Sequence, residues 1–310
     1  FESHHHGPPM ASVSSHDNAP SPSNESVVDY AGGFLPRLLA QLRTMAFTAG
    51  DGHPKVERLS RVVVLIKERT GTGAGLLPPD TLSTLRAFLC DSEPSVRAAA
   101  LRAVRYALVD GDSLEVASRL RLDVLACGRL HSGPRWESIC ALRLVRRWLW
   151  LSTRAGLPGV PRCILVCLGE LVQYSGENAG FRRACMATVV QCVFHWPLLA
   201  ADTGLFDVCL GSLLQQDFEE TAAACVAAFA AGMNDPRVRS VLRARGALDA
   251  SRFYTIYTGA EHLFNDLGET APTGRRAREL ADEAAAAEAL WALGSRAVVG
   301  LLRHFQGLCF

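Results

Sequence analysis

Lysine is nearly missing from this chain. Only Lys55 and Lys67 among the 32 basic residues are lysine; the rest are arginine. Net charge is also nearly absent, at +1 over 310 residues. A dedicated nucleic-acid binder carries a strong basic excess on one face, so this balance speaks against one. Long uninterrupted apolar runs are lacking. The best candidate for a membrane span, residues 184–201, contains Gln191, His195 and Pro197, and a buried helix is the expected outcome there. No secretory signal peptide opens the chain, because residues 1–26 are polar and rich in Ser, Pro and His. The first residue is Phe1 and the first methionine is Met10, so the chain is expected to be a fragment or to carry untranslated sequence at its start. Alternating apolar and polar stretches are scarce, which excludes most β architectures.

Catalytic and metal signatures are missing too. Gly71-Thr-Gly-Ala-Gly75 superficially suggests a phosphate loop, but Leu76, Leu77, Pro78 and Pro79 follow where a Walker loop needs Gly-Lys-Ser/Thr. A flexible linker between helices is the better reading. No nucleophile elbow or paired catalytic carboxylate is present, and Ser113 and Ser175 sit in polar turns where capping is the default. No convergent polar set supports an enzyme. Cys192-x-x-His195, with Cys185 nearby, lacks the second ligand pair that a closed zinc site needs. Cys163 and Cys167, one turn apart, read the same way, as buried thiols. His4-His5-His6 reads as a tail remnant. Most of the ten cysteines lie in apolar helical patterns, so they are expected to be reduced, small and hydrophobic, which points to the cytoplasm. No cofactor or metal is expected.

What the chain has is helical periodicity. Apolar residues recur at three- and four-residue spacing, and even the β-branched run Val62 to Ile66 sits in flanks that suit a helix. Clear breaks fall at 71–79 and 156–161. The segment Asp91-Ser-Glu-Pro94-Ser-Val96-Arg97-Ala-Ala-Ala-Leu101-Arg-Ala-Val104-Arg-Tyr-Ala-Leu108 has a definite grammar. One helix ends at Leu89-Cys90, a turn carries Asp91 and Pro94, and a second Ala-rich helix follows. Pro94 lies where a missing N–H costs nothing. Leu101, Val104 and Leu108 form the buried stripe. The grammar returns with Leu142, Met186 and Ala223 in the place of Leu101. The steps of about forty residues suit HEAT and armadillo arrays, whose units bury their apolar faces only by stacking. The expectation is an all-α, right-handed solenoid of HEAT/armadillo-like repeats over 34–245. A disordered tail is expected over 1–33, and a less regular helical continuation over 246–310.

The grammar resembles a HEAT or armadillo repeat, in which Asp and Arg at the places of Asp91 and Arg97 bond across neighbouring repeats. Arg102 and Arg105 lie opposite Leu101 and Leu108, and Arg143, Arg146 and Arg147 repeat that arrangement one unit later. Stacking would align them into a basic ridge. Such a ridge is either a plain solvated face or a dock for an acidic peptide or phosphate. A GC-rich coding sequence raises Arg, Ala and Gly together, which lowers the weight of any Arg cluster. Trp136, Trp148 and Trp150 read as packing residues. Trp148 and Trp150 also belong to the candidate partner surface.

Two blocks narrow the picture. Val96-Arg97-Ala-Ala-Ala-Leu101-Arg-Ala-Val104-Arg-Tyr106 and Ala141-Leu-Arg-Leu-Val-Arg-Arg147 resemble the N-terminal region of the Rictor (Pianissimo) family, which reads V-R-A-A-x-L-R-A-L-R-Y and then A-L-R-L-V-R-K about forty residues later. Asn234 to Arg243, Phe253 to Thr258 and Ala289 to Leu301 resemble later stretches of that family, in the same order over about 34–310. Departures are the Trp-, Gly- and Pro-rich segment 148–161, a higher alanine content, and a chain much shorter than family members. The resemblance implies a non-catalytic subunit of TOR complex 2. Such a subunit is a helical scaffold beside the TOR kinase that binds the stress-activated-kinase-interacting subunit and helps present AGC-family kinases in growth and actin signalling. It also implies a cytoplasmic complex, peripheral at membranes. The alternative is a generic armadillo adaptor of the importin type, although the inner-groove Asn ladder it predicts is not visible.

Overall fold

The structure is a computed structural model that describes residues 25–46, 48, 52–71, 77–174, 178–212 and 219–247. Among them lie α1 (Glu25–Met45), α2 (His53–Gly71), α3 (Thr81–Leu89), α4 (Pro94–Ala107), α5 (Gly111–Arg119), α6 (Leu122–Ser132), α7 (Arg135–Arg154), α8 (Arg162–Tyr174), α9 (Ala179–His195), α10 (Pro197–Thr203), α11 (Leu205–Ser212), α12 (Glu219–Met233) and α13 (Pro236–Ala244). No strand occurs among the described residues. Helix α1 starts at Glu25, inside the stretch expected to be disordered tail. Residues 1–24 and 248–310, with the stretches Phe253 to Thr258 and Ala289 to Leu301, lie outside the described residues, as do Ser175 and the phosphate-loop look-alike beyond Gly71.

Local chemistry sets the boundaries. Pro94 occupies the first turn of α4, and Pro197 and Pro236 do the same for α10 and α13. Asp110 caps α5: its carboxylate accepts from Ser113 N–H at 2.8 Å, and Ser113 Oγ accepts from Asp110 N–H at 3.0 Å. This reciprocal capping box fulfils the capping role expected of Ser113. Helix α7 stops at Gly156, whose φ of +63° suits glycine. There Leu157 N–H donates to Ser152 O at 3.0 Å and Gly156 N–H to Thr153 O at 3.1 Å, closing the helix end. Val62 to Ile66 is helical within α2. The run 184–201 is divided between α9 and α10 at Trp196, and no described helix is long and apolar enough to cross a membrane.

The helices form two layers. Helices α2, α4, α7, α9 and α12 stack side by side in one, and α1, α3, α6, α8 and α11 back them in the other. The units are uneven. Some are helix pairs (α1–α2, α3–α4, α8–α9), whereas others are triplets (α5–α6–α7, α10–α11–α12). One continuous apolar core runs from Leu35 to Ala247. Leu101, Leu142 and Met186 are all buried in it, on α4, α7 and α9. This is an all-α solenoid.

The period is written into the bonds between units. Arg43 reaches Thr84 across 41 residues. Lys55 reaches Asp91 across 36, Arg86 reaches the Leu120 carbonyl across 34, and Arg97 reaches Glu137 across 40. Arg147 reaches the Leu108 carbonyl across 39, Trp196 the Leu157 carbonyl across 39, and Arg245 the Asp202 carbonyl across 43.

Candidate protein-docking surface

Asp91 and Arg97 flank one turn, yet their side chains serve different neighbours. Lys55 Nζ, from the preceding unit, donates to Asp91 Oδ2 at 2.8 Å, with both side chains almost entirely covered. Burial opposes ionisation of Asp91, but the bonds from Lys55 and the Glu93 amide outweigh it and hold the carboxyl below its usual range. Arg97 grips Glu137 of the following unit with Nε at 2.7 Å and Nη2 at 2.9 Å. Glu137 is fully buried, and this bidentate bond, ahead of the nearby carboxylate charges, raises the Arg97 pKa despite burial. The third nitrogen, Nη1, donates to the Asp91 and Ser92 carbonyls at 2.9 and 2.7 Å. The ladder expected at Asp91 and Arg97 therefore runs Lys55–Asp91, then Arg97–Glu137, rather than directly between the two.

Sequence reading missed Lys55 and Glu137 because each lies about forty residues from its partner. It also missed Arg239, whose Nη1 donates to the Met233 and Asn234 carbonyls at 2.6 and 3.2 Å, six and five residues back, as in Arg97. The available signal was the shared pattern Pro-x-Val-Arg at Pro94 and Pro236.

The arginine ridge lies on the outward face of α4 and α7. Two bonds set these helices parallel and in step: Arg97 to Glu137 near their starts, and Arg147 Nε to the Leu108 carbonyl at 3.0 Å near the end of α4. Arg102, Arg143 and Arg146 are exposed, while Arg105 and Arg147 are half-buried. None of these five, nor Arg154, pairs with a carboxylate among the described residues. Aromatic rings take that place. Arg105 stacks 4.6 Å from the centre of the Tyr106 ring and donates to its hydroxyl at 2.6 Å, with Lys67 Nζ 4.5 Å from the same centre. Arg147 and Arg154 lie 4.5 and 5.2 Å from the Trp150 ring centre. Partial burial, then the charges of Arg105 and Arg154, lower the Arg147 pKa. Half-buried Cys140 feels the charges of Arg143, Arg105 and Arg102, although burial leaves its pKa raised.

The tryptophans divide. Trp148 is 1% exposed and does not belong to a partner surface. It follows Leu144 and Val145 by helical spacing and fills the core. Trp150 and Trp136 are each 47% exposed, which corrects their reading as packing residues. Trp150 sits two positions on from Trp148, and at 100° per residue that turns it out of the core.

The sulfur candidates resolve differently. Cys192 is buried while His195 is exposed, so the two do not converge. Burial pushes the thiols of Cys185 and Cys192 up to about 12, which suits inert core residues. Cys163 lies 3.5 Å from Asp123 Oδ2, and Cys167 lies 3.6 Å from the Cys127 carbonyl. Bonds with Cys163 and Cys167, then burial, raise the Cys127 pKa.

The family model described as "Rapamycin-insensitive companion of mTOR, N-term" matches residues 56–310. The chain belongs to the Rictor family. Rapamycin-insensitive companion of mTOR from Mus musculus and from Homo sapiens are each 26% identical to it over 181 residues, 58% of this chain and 10% of theirs. The chain thus spans about a tenth of the length of these Rictor relatives. The family match begins at Val56, later than the expected residue 34, and holds both the Arg97–Glu137 rung and the whole ridge. Among solved structures, a designed armadillo repeat protein in complex with the peptide (KR)4 is 16% identical over 84% of this chain and 100% of its own, with a TM-score of 0.47. An engineered protein is 15% identical over 84% of this chain and 97% of its own, also with a TM-score of 0.47.

Proposed function

We propose that the chain is the N-terminal part of a non-catalytic scaffold subunit of TOR complex 2. The Rictor family match over 56–310, whose described residues form a stack of helices with one shared core, carries this reading. The mechanism is geometric. A stack whose units are locked by buried ion pairs holds bound proteins at fixed separations, which raises their effective concentration toward one another. The expected partners are the TOR kinase, the stress-activated-kinase-interacting subunit and AGC-family kinase substrates. The expected setting is cytoplasmic, peripheral at membranes through the complex. The scaffold requires no cofactor for this role. The test is affinity purification of the full-length protein followed by mass spectrometry. Recovery of the TOR kinase together with the partner subunit supports the reading, and recovery of neither overturns it.

A further inference from the structure

Elsewhere in the stack some exposed arginines find acids, while others, such as Arg121, Arg135 and Arg183, stand singly. Arg61 pairs with Glu57, Arg119 with Glu115, Arg162 with Asp202 and Arg237 with Asp235. The α4–α7 ridge differs in its density: six guanidinium groups share it, close enough for Arg105 and Arg154 to add to burial in depressing the Arg147 pKa, and no described carboxylate pairs with any of them. Like charges held this close repel unless an anion joins them. The buried acid of α7, Glu137, is already gripped by Arg97.

The relief of the surface indicates the kind of anion. Arg105, Cys140 and Arg147 are half-buried along the seam between the two helices. Exposed Arg102 flanks the seam on one side, and exposed Arg143 and Arg146 flank it on the other. A flat bilayer meets protruding charges first and reaches the recessed ones poorly, whereas a narrow chain can lie along the seam and meet both. From Arg143 to Arg154 the ridge runs about 16 Å, the reach of about five extended residues. Guanidinium forks suit carboxylates, which they bind through two parallel bonds. The exposed rings of Trp150 and Trp136 offer apolar contact to residues between the acids. We infer that the α4–α7 seam docks an extended, acidic protein segment, with Arg102, Arg105, Arg143, Arg146 and Arg147 receiving its carboxylates. This goes beyond membership of TOR complex 2 and does not depend on it.

The test is fluorescence anisotropy on the purified 310-residue chain. The probe is a fluorescein-labelled acidic peptide of about ten alternating Asp and Glu residues, twice the estimated contact length. Its mirror in charge, an Arg/Lys peptide, and vesicles containing phosphatidylserine are the comparators. The acidic probe is expected to bind and to weaken by about tenfold or more between low and moderate salt, as screening predicts. The triple variant Arg102→Glu/Arg143→Glu/Arg146→Glu is expected to lose at least about tenfold in affinity. Arg119→Glu, on α5 and already paired, is expected to change nothing. Circular dichroism melting reports folding, and if the triple variant does not fold, Arg143→Gln and Arg146→Gln singly should each still weaken binding by about threefold. Equal binding by folded ridge variants overturns the proposal. So does capture of the chain by the vesicles, lost in the ridge variants, without binding of the peptide.

Discussion

The Arg97–Glu137 rung shows how much one buried pair can govern. Glu137 has no exposed surface, and Arg97 also ties down the turn that opens α4. Glu137→Ala would leave a buried guanidinium with Nε and Nη2 unmatched and should destabilise the chain by about 3–5 kcal/mol. Replacing both partners, Arg97→Met with Glu137→Leu, should recover most of that loss, because neither charge then needs solvating. Urea unfolding checks both, and equal stability of the single and double variants would refute the account. Asp91 carries a pH signature. Its pKa in the fold lies below the usual carboxylate value, so the Lys55–Asp91 pair contributes stability above that range and loses it as pH falls through the folded pKa. Asp91→Asn should therefore lower stability at neutral pH and flatten its decline as pH falls below the ordinary carboxylate range. The sequence marked Asp91 and Arg97 because their turn has a recognisable grammar. Lys55 and Glu137 stayed hidden, since an acid in the first turn of a helix is commonplace and its depth depends on a neighbour forty residues away. Trp148 and Trp150 were separable in principle by helical phase, but two residues of the same type were grouped by type.

At the scale of elements, two glycines inside helices should respond in opposite senses to the same change. A Cβ on Gly232 of α12 would come within 2.5 and 2.9 Å of Phe206, a fully buried ring packed edge-on against Phe229. The ring has nowhere to retreat, so Gly232→Ala should destabilise by about 1–3 kcal/mol. Gly128 of α6 is exposed with nothing within 4 Å, so Gly128→Ala should stabilise by about 0.5–1 kcal/mol through helix propensity alone. Thermal melting of both variants distinguishes this from a uniform propensity effect, which would give both the same sign. Helix type was readable from three- and four-residue spacing, and the breaks at 71–79 and 156–161 from Gly and Pro. The irregular steps between repeats were readable only as numbers. The structure shows units of two and of three helices, with α5 and α6, or α10 and α11, occupying the place of one helix elsewhere.

Across the whole molecule the stack is not uniformly coupled. In a solenoid, stability is a sum of unit terms and nearest-neighbour interfaces, so unfolding divides where an interface is weakest. Helix α4 packs heavily on both α2 and α7, and α9 packs heavily on α8 and α12, whereas α7 meets α9 more lightly. The non-helical segment 155–161 crosses at that same place. Trp196 ties this segment to the second block: its indole N–H donates to the Leu157 carbonyl at 3.2 Å while the ring itself is buried. Native-state hydrogen exchange should therefore resolve two cooperative blocks, α1–α7 and α8–α13, each with its own opening free energy. Trp196→Phe keeps most of the apolar contact but removes the bond, so it should widen the gap between the blocks and broaden the urea transition without abolishing either. A single opening free energy shared by α4 and α9, unchanged in Trp196→Phe, would show that the α7–α9 interface is as strong as its neighbours. The location of this joint has a consequence for a scaffold. The ridge and the buried rung both lie wholly within the first block, so a partner bound there would be held by α1–α7 whether or not the second block opens.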